Sequence, residues 1–363
     1  MRKSRKLFTA VLFLLSSGIQ ANKLSEQFQK DLDNSLKDHS SPGAVLLVAN
    51  DQMGPLLFAS GESDIKNHRP MAINDTFRIA SMSKTFLAAA ILKLVDSHQL
   101  ELDDLVKKYL ANNLEVARIP NGDELTIREL LQMRSGIPDY YLGDKYNALF
   151  DEDENHIATP AEAIKTIYGE KPLFKPNQKY NYSNTNYVLL HMVLEQVTKK
   201  TLAQAMQDLI FQPLHLDHTY ITQEKDFANK DFNGLTTHGY TLGDNKQFED
   251  VTRTYDGNGL GDGAVVTNAS ELYQFLKALL QDKTVLSQES LKEMLHFVDG
   301  YGLGISVEKA GGDTYLTHNG TASGYSGQYY VDSENGWVII LTNSDGSEFI
   351  VDLSDKAYQN LYS

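Results

Sequence analysis

The sequence predicts a mixed α/β (α+β) protein: an antiparallel β-sheet flanked by helices, with a mainly helical subdomain inserted between the two halves of the sheet. Three observations carry that expectation. Strand-like patterns cluster at the two ends of the 363-residue chain. Helical periodicity fills the middle. The late strands are separated by short glycine-containing turns, which join antiparallel neighbours. An N-terminal hairpin pairing with a C-terminal meander then forms one sheet, and the helices bury its faces.

Residues 1–21 come first. Arg2, Lys3, Arg5 and Lys6 precede an apolar run from Leu7 to Leu15, and small residues follow up to Ala21. That is the layout of a secretory signal peptide cleaved near Ala21, although Ile19 is an imperfect small residue for the site. The apolar run is too short to span a bilayer comfortably, so no membrane insertion is expected after cleavage. The mature chain is expected in the periplasm or outside the cell, with an uncleaved anchor as the alternative. The stretch 42–61, "PGAVLLVANDQMGPLLFASG", reads as two strands around a turn at Asp51 to Pro55. In "TFLAAAILKLV", Phe86, Leu87, Ala90, Ile91, Leu94 and Val95 fall at helical spacing. Helical periodicity recurs in 102–110, 126–133, 159–169, 186–200, 201–214 and 268–281. Thr159-Pro160 with Glu162 is a helix start, and Asn268 or Ser270 caps the last of these.

The C-terminal part changes character. "YGLGISVEK", "DTYLTHN", "GYSGQYYVD" and "GWVIILTN" read as successive strands, punctuated by Gly311-Gly312, Asn319-Gly320 and Asn335-Gly336. Residues 347–362 read as a closing helix. The expected organisation is therefore a signal peptide over 1–21 and one domain over 22–363. A sheet subdomain (about 22–95 and 262–363) surrounds a helical one (about 96–261).

Composition excludes several classes. The chain has no cysteine, which removes disulfides, thiolate metal sites, cysteine nucleophiles and a lipid-anchored cysteine. Its formal net charge is −15, and loss of the four basic residues of the leader makes the mature chain more acidic still. Such a protein is a poor partner for nucleic acid or anionic membrane surfaces. The run Asp151-Glu152-Asp153-Glu154 reads as a solvated loop. His215 and His218 lie in a loop without a third candidate ligand, so they read as exposed structural residues and no metal is expected.

The first chemistry-bearing pattern is Ser81-Met82-Ser83-Lys84 in "RIASMSKTF". Ser-x-x-Lys is a cheap pattern, and two further matches serve as controls. Ser63–Lys66 lies in the polar stretch "GESDIKNHRP", which reads as loop. Ser306–Lys309 lies in a strand, where positions three apart face opposite ways. Only Ser81 is followed by a helix, which brings residues i and i+3 onto one face. A serine hydroxyl needs a base to take its proton, and burial disfavours the charged form of an amine. The positive end of the helix also favours negative charge developing on Ser81. A helix cap beside a solvated lysine is the plainer alternative.

Two other constellations are weak taken singly. Tyr182-Ser183-Asn184 sits in a polar loop before a helix, where Tyr182 is suited to relay a proton and Asn184 to position a substrate amide or Lys84. An aromatic staple and an Asn cap explain them equally well. His318-Asn319-Gly320 sits at the end of a strand, where a glycine lets a ligand approach the backbone and His318 is suited to an anionic or acyl group. An Asn-Gly hairpin turn with an incidental histidine is the alternative.

In order along the chain, Ser-x-x-Lys, Tyr-x-Asn and His-x-Gly resemble the serine β-lactamase-like and penicillin-binding superfamily, and most closely the class C β-lactamases and related D-alanyl-D-alanine carboxypeptidases. "LTIRELLQMRSGIPDY", "YNYSNTNYVLL", "PLHLDHTYI" and "GDGAVVTNASELYQFL" extend the resemblance over nearly the whole mature chain. The resemblance implies that Ser81 is the acylated nucleophile, Lys84 its proton partner and Tyr182 the proton shuttle to the leaving group. Asn184, His318, Gly320 and Thr321 would bind substrate, with the backbone N–H groups of Ser81 and Thr321 as the oxyanion hole. No cofactor is implied.

The sequence also departs from the pattern. His318 stands where β-lactamases of this branch usually have a lysine that helps hold a substrate carboxylate; a histidine there is more like the family's carboxypeptidases, aminopeptidases and esterases. Gln132, Arg134, Asn177 and His215 are further departures. The expected function is an exported serine hydrolase acting on cell-wall D-amino-acid peptides, β-lactams or small esters, first of all a D-alanyl-D-alanine carboxypeptidase-like enzyme. The alternatives are a carboxylesterase or D-aminopeptidase of the same fold, or a non-catalytic peptidoglycan-binding protein. Metal-assisted hydrolysis lacks a His-Glu-x-x-His helix, and an α/β-hydrolase lacks Gly-x-Ser-x-Gly. The regions 139–156 and 237–256 are expected to line the choice of substrate.

Overall fold

The computed structural model describes residues 22–39, 41–150, 156–222, 235–253, 260–310, 312–346 and 348–362. The expected leader, the acidic run 151–154 and Gly311 lie outside them. In chain order the strands are β1 (Gly43–Asn50), β2 (Met53–Asp64), β3 (Arg69–Pro70), β4 (Phe77–Arg78), β5 (Tyr220–Ile221), β6 (Tyr240–Leu242), β7 (Phe248–Asp250), β8 (Val265–Thr267), β9 (Ser306–Ala310), β10 (Asp313–Ala322), β11 (Tyr325–Asp332) and β12 (Trp337–Thr342). The main sheet has the order β3-β2-β1-β12-β11-β10-β9 and pairs antiparallel throughout. The two ends of the chain meet where β1 lies against β12, with Leu46 opposite Ile340.

Both faces of the sheet's centre are buried, which is why "AVLLVA" and "WVIILT" are continuous apolar runs. Val45, Leu47, Ile339 and Leu341 point inward to the larger core. Ala44, Leu46, Val48, Val338 and Ile340 point outward, into a second core closed by two terminal helices. One is the C-terminal helix Glu348–Leu361. The other is a helix over residues 22–38, which the sequence reading missed. Its signal was present: Phe28, Leu32 and Leu36 repeat every fourth residue, and all three are buried. Phe28 packs on Phe58 of β2, ring centres 5.6 Å apart.

Against the inner face lies the helix Ser83–Asp96, buried without a break from Ser83 to Leu92. It is apolar all round because protein surrounds it, and its Phe86 stacks on Phe275 at 3.7 Å. Phe275 belongs to the helix Ala269–Leu276, capped by the Asn268 side chain. The inserted part is mostly helical. The helix Asn184–Thr198 crosses it, and the shorter helices Ile127–Leu131 and Pro160–Thr166 each begin with a capping box, Thr126 with Glu129 and Thr159 with Glu162. The insertion also holds a β6–β7 hairpin, inside the region 237–256 expected to line the choice of substrate.

Two sequence expectations are corrected. Asn319-Gly320 is not a turn: β10 runs through both residues to Ala322, and the reversal to β11 is made at Ser323-Gly324. Ser63 is not in a loop: it is buried at the end of β2, its hydroxyl donating to the Arg69 carbonyl at 3.2 Å.

Phe28→Ala is expected to destabilise the fold by about 3–5 kcal/mol in urea denaturation, because it empties the outer core. Activity per folded molecule should be unchanged, since that core lies across the sheet from Ser81. A stability change under about 1 kcal/mol would show that the first helix is not anchored there.

Candidate active site

Ser81 occupies a 3-10 turn, Ala80–Met82, that runs straight into the helix Ser83–Asp96. Val265 of β8 holds the turn from both sides. Its carbonyl accepts from the Ile79 N–H at 3.1 Å, and its N–H donates to Ser83 Oγ at 3.0 Å. Ala80, just before Ser81, has a φ of +45°, a region a residue with a side chain adopts only under constraint.

The constraint is visible on the other side of the turn. β9 pairs with β10 only as far as Thr317, so the edge of β10 beyond that point is free of it. Gly320 lies there, against the nucleophile turn. A Cβ at Gly320 would sit 2.2 Å from the Ile79 carbonyl oxygen and 2.9 Å from the Ser81 nitrogen. The glycine is therefore required by the approach of strand to turn, where the sequence suggested the approach of a ligand.

Lys84 is fully buried. Its Nζ lies 2.8 Å from Ser81 Oγ, 2.9 Å from Asn184 Oδ1 and 2.7 Å from the backbone carbonyl of Asp262. The two carbonyl oxygens can only accept, so they take two N–H groups of the amine. What remains of Nζ faces Ser81. In the neutral amine that remainder is a lone pair aimed at the serine hydroxyl, the arrangement a base needs.

Each acceptor is itself held. Asn184 is the first residue of its helix, and its Nδ2 donates to Asp139 Oδ2 at 3.0 Å, which fixes which end of the amide faces Lys84. Burial raises the Asp139 carboxyl, against hydrogen bonds from Tyr141 and Asn184 and the charge of Lys84. Asp262 Oδ2 accepts from Tyr140 Oη at 3.0 Å. Burial pushes this carboxyl up to about 6, against Lys84 and the Tyr140 bond. Sequence reasoning named no role for Asp139, Tyr140 or Asp262. The only trace was "GDGAVV", where Asp262 puts a charged residue between two glycines ahead of a strand.

Tyr182 lies over the amine, its ring centre 5.1 Å from Lys84 Nζ, and its buried hydroxyl has no hydrogen-bond partner among the described residues. Tyr301 meets it edge-on at 6.4 Å. His318 is buried and engaged at both nitrogens: Nδ1 is 2.7 Å from the Asn319 carbonyl, and Nε2 is 3.2 Å from Tyr301 Oη. A carbonyl only accepts, so Nδ1 carries the proton and Nε2 accepts from Tyr301. Burial, then Lys84, lowers His318 to about 4, so the ring is neutral at pH 7. The structure thus brings Ser81, Lys84, Tyr182, Asn184, His318 and Gly320 together. Thr321, next along β10, is exposed. His215 and His218 lie elsewhere: His215 lines a cavity with Leu47 and Tyr273, and His218 Nδ1 bonds Glu271 at 2.8 Å.

The Beta-lactamase family matches residues 28–360. The chain belongs to that family. Among curated relatives, protein flp of Staphylococcus aureus (strain N315) is 25% identical over 338 residues, covering 91% of this chain and 65% of flp, so the chain spans just under two thirds of that protein. Penicillin-binding protein 4* of Bacillus subtilis (strain 168) is 27% identical over 334 residues, 86% of this chain and 70% of the relative. The D-aminopeptidase of Brucella anthropi is 25% identical over 321 residues, 85% of this chain and 58% of that enzyme. Among solved structures, a D-stereospecific amidohydrolase from Streptomyces sp. superposes with a TM-score of 0.77 at 26% identity, covering 90% of this chain and 97% of that one. The antiparallel sheet flanked by helices is thus the fold of this family, whose members include amidases and penicillin-binding proteins of the serine hydrolase type.

Gly320→Ala is expected to displace the nucleophile turn and lower kcat/KM about 100-fold, the scale of a 1 Å misplacement in an active site, with the far-ultraviolet circular dichroism retained. An unchanged rate would contradict the packing described. A second expectation concerns Asp262. Its folded pKa of about 6 stands above its ordinary value of 3.8. Stability is therefore lost as pH rises through that window, by up to about 3 kcal/mol. Asp262→Asn removes this loss, so its stability relative to wild type should rise between pH 4 and pH 7 in urea denaturation. A difference independent of pH would refute it.

Proposed function

We propose that this chain is a serine hydrolase that cleaves amides or esters of D-amino acids through an acyl-enzyme on Ser81, with no carboxylate required on the leaving group. The observation that carries this reading is the state of His318. Where a lysine would hold a substrate carboxylate, the strand presents a neutral imidazole with both nitrogens engaged. A histidine at this position is shared with the family's carboxypeptidases, so it is the engagement of both ring nitrogens, and not the residue type, that moves the reading away from a D-alanyl-D-alanine carboxypeptidase, whose substrate ends in a carboxylate beside the scissile bond. The preference for D-amino-acid substrates is supported by the relatives, a D-aminopeptidase and a D-stereospecific amidohydrolase.

In the proposed sequence of steps, Ser81 Oγ attacks the acyl carbonyl while its proton passes to the Lys84 amine. The oxyanion forms against the N–H groups of Ser81 and Thr321. The carbon–nitrogen or carbon–oxygen bond then breaks, and the leaving group takes the proton of Lys84 by way of the Tyr182 hydroxyl, which has no other partner among the described residues, so the amine is free again. Water adds to the acyl-enzyme with its proton going to the same lysine, and the acid leaves as that proton returns to Ser81 Oγ. We propose further that the protein works after export, on the strength of the basic and apolar pattern of residues 1–21.

Steady-state kinetics on paired substrates test the reading. A D-amino-acid amide is expected to exceed an N-acyl-D-alanyl-D-alanine peptide in kcat/KM by about 10-fold or more, the scale of one missing charge-assisted hydrogen bond. Ser81→Ala should abolish both. A peptide turned over faster than the amide, or a long-lived benzylpenicillin adduct, would restore the carboxypeptidase. Binding without turnover, unchanged in Ser81→Ala, would point to a binding protein.

A further inference from the structure

Two of the residues that depart from the family pattern, Arg134 and Asn177, are partners of each other. Arg134 is buried, and its guanidinium reaches two loops at once. Toward one loop, Nε donates to Asn177 Oδ1 at 2.9 Å and Nη2 to the Asn177 carbonyl at 2.7 Å. Toward the other, Nη1 donates to Asp299. The grip on Asn177 is returned by the backbone, since Asn177 N–H donates to the Arg134 carbonyl at 2.7 Å. Next door, the Met133 carbonyl accepts from Asn181 N–H at 3.0 Å.

Those two loops carry two rings of the active site. Tyr182 follows Asn177 by five residues and comes directly after Asn181. Tyr301 follows Asp299 by two, closing a turn in which Val298 and Tyr301 exchange backbone hydrogen bonds at 3.1 and 3.2 Å. Tyr182 and Tyr301 then meet edge-on, and Tyr301 is the residue bonded to His318. Among the described residues nothing bonds the Tyr182 hydroxyl, so its place is set by its loop and by the groups packed on its ring, Tyr301, His318 and the Lys84 amine.

We propose that Arg134 is a positioning residue that fixes Tyr182 for protonation of the leaving group, by joining the loop before Tyr182 to the loop before Tyr301. The inference rests on the role proposed above for Tyr182. Arginine suits the task because its planar fork presents donors in three fixed directions, two of which take one residue's side chain and main chain together. A lysine has one nitrogen and cannot hold both loops in the same geometry.

The leaving group separates this role from a merely structural one. A nitrophenolate departs without a proton, whereas an amine must receive one. We would measure kcat/KM for an amide and a nitrophenyl ester of the same D-amino acid, in wild type, Tyr182→Phe, Arg134→Lys and Asn177→Gly. Glycine keeps the carbonyl of residue 177 and tolerates its φ of +63°, so this variant probes the side-chain bond even where Arg134→Lys fails to fold. Tyr182→Phe is expected to lose about 100-fold on the amide and little on the ester, the scale of general acid catalysis. Arg134→Lys should lose at least about 10-fold on the amide with the ester within about 3-fold, and Asn177→Gly a smaller loss in the same direction. Equal losses on both substrates in Arg134→Lys or Asn177→Gly, beside a selective Tyr182→Phe, would overturn the inference alone. A Tyr182→Phe without leaving-group dependence would overturn the role of Tyr182 and the inference with it.

Discussion

An amine held inside protein is the constraint on which the rest of this site depends. Lys84 has no exposed surface, and a buried polar head is costly unless every hydrogen it carries finds an acceptor. Its three partners come from three parts of the chain: Ser81 from the turn before the central helix, Asn184 from the start of the inserted helix, and the Asp262 carbonyl from the approach to β8. Sheet, insertion and central helix must therefore all be in place for the lysine to be satisfied. The extra hydrogen bonds behind the first ones, Asp139 on Asn184 and Tyr140 on Asp262, fix the acceptors in turn.

The same economy explains His318. A cation there would lie buried near the amine, and once the amine takes up the serine proton the two charges would repel in a poorly solvated interior. The neutral ring, donating to its own strand and accepting from Tyr301, avoids that cost. It also removes a ready grip on a substrate carboxylate, so electrostatics inside the fold and substrate preference are coupled through one side chain.

Much of this was legible in the sequence, because the legible parts are local. The central helix declared itself by apolar spacing, and the strands β1 and β12 by continuous apolar runs that only a doubly covered sheet accommodates. Ser81 and Lys84 were readable because three residues on a helical path share a face. What stayed hidden is made by contacts between distant segments. Tyr140 lies over a hundred residues from Asp262, and Asp139 lies 45 from Asn184, and no pattern announces that they meet. Asn319-Gly320 has the composition of a turn, yet tertiary packing keeps it in a strand because only a glycine fits against the Ser81 turn. Gln132, Arg134 and Asn177 looked like scattered departures, and a pairing of Arg134 with Asn177 is invisible until their loops are side by side. The first helix was missed for another reason: its three-residue apolar stripe is narrow, and its neighbour is a leader sequence that draws the eye.

The most direct test of Lys84 as the base for Ser81 is the rate of acylation, followed by rapid quench and intact mass spectrometry with a nitrophenyl ester of a D-amino acid. Lys84→Met keeps the volume of the side chain and removes the amine, and its fold is checked by circular dichroism. In the wild type a transient adduct is expected on the peptide containing Ser81, forming at least about 100-fold faster than in Lys84→Met. An adduct forming equally fast in a folded Lys84→Met, or on a residue other than Ser81, would contradict the assignment of base and nucleophile.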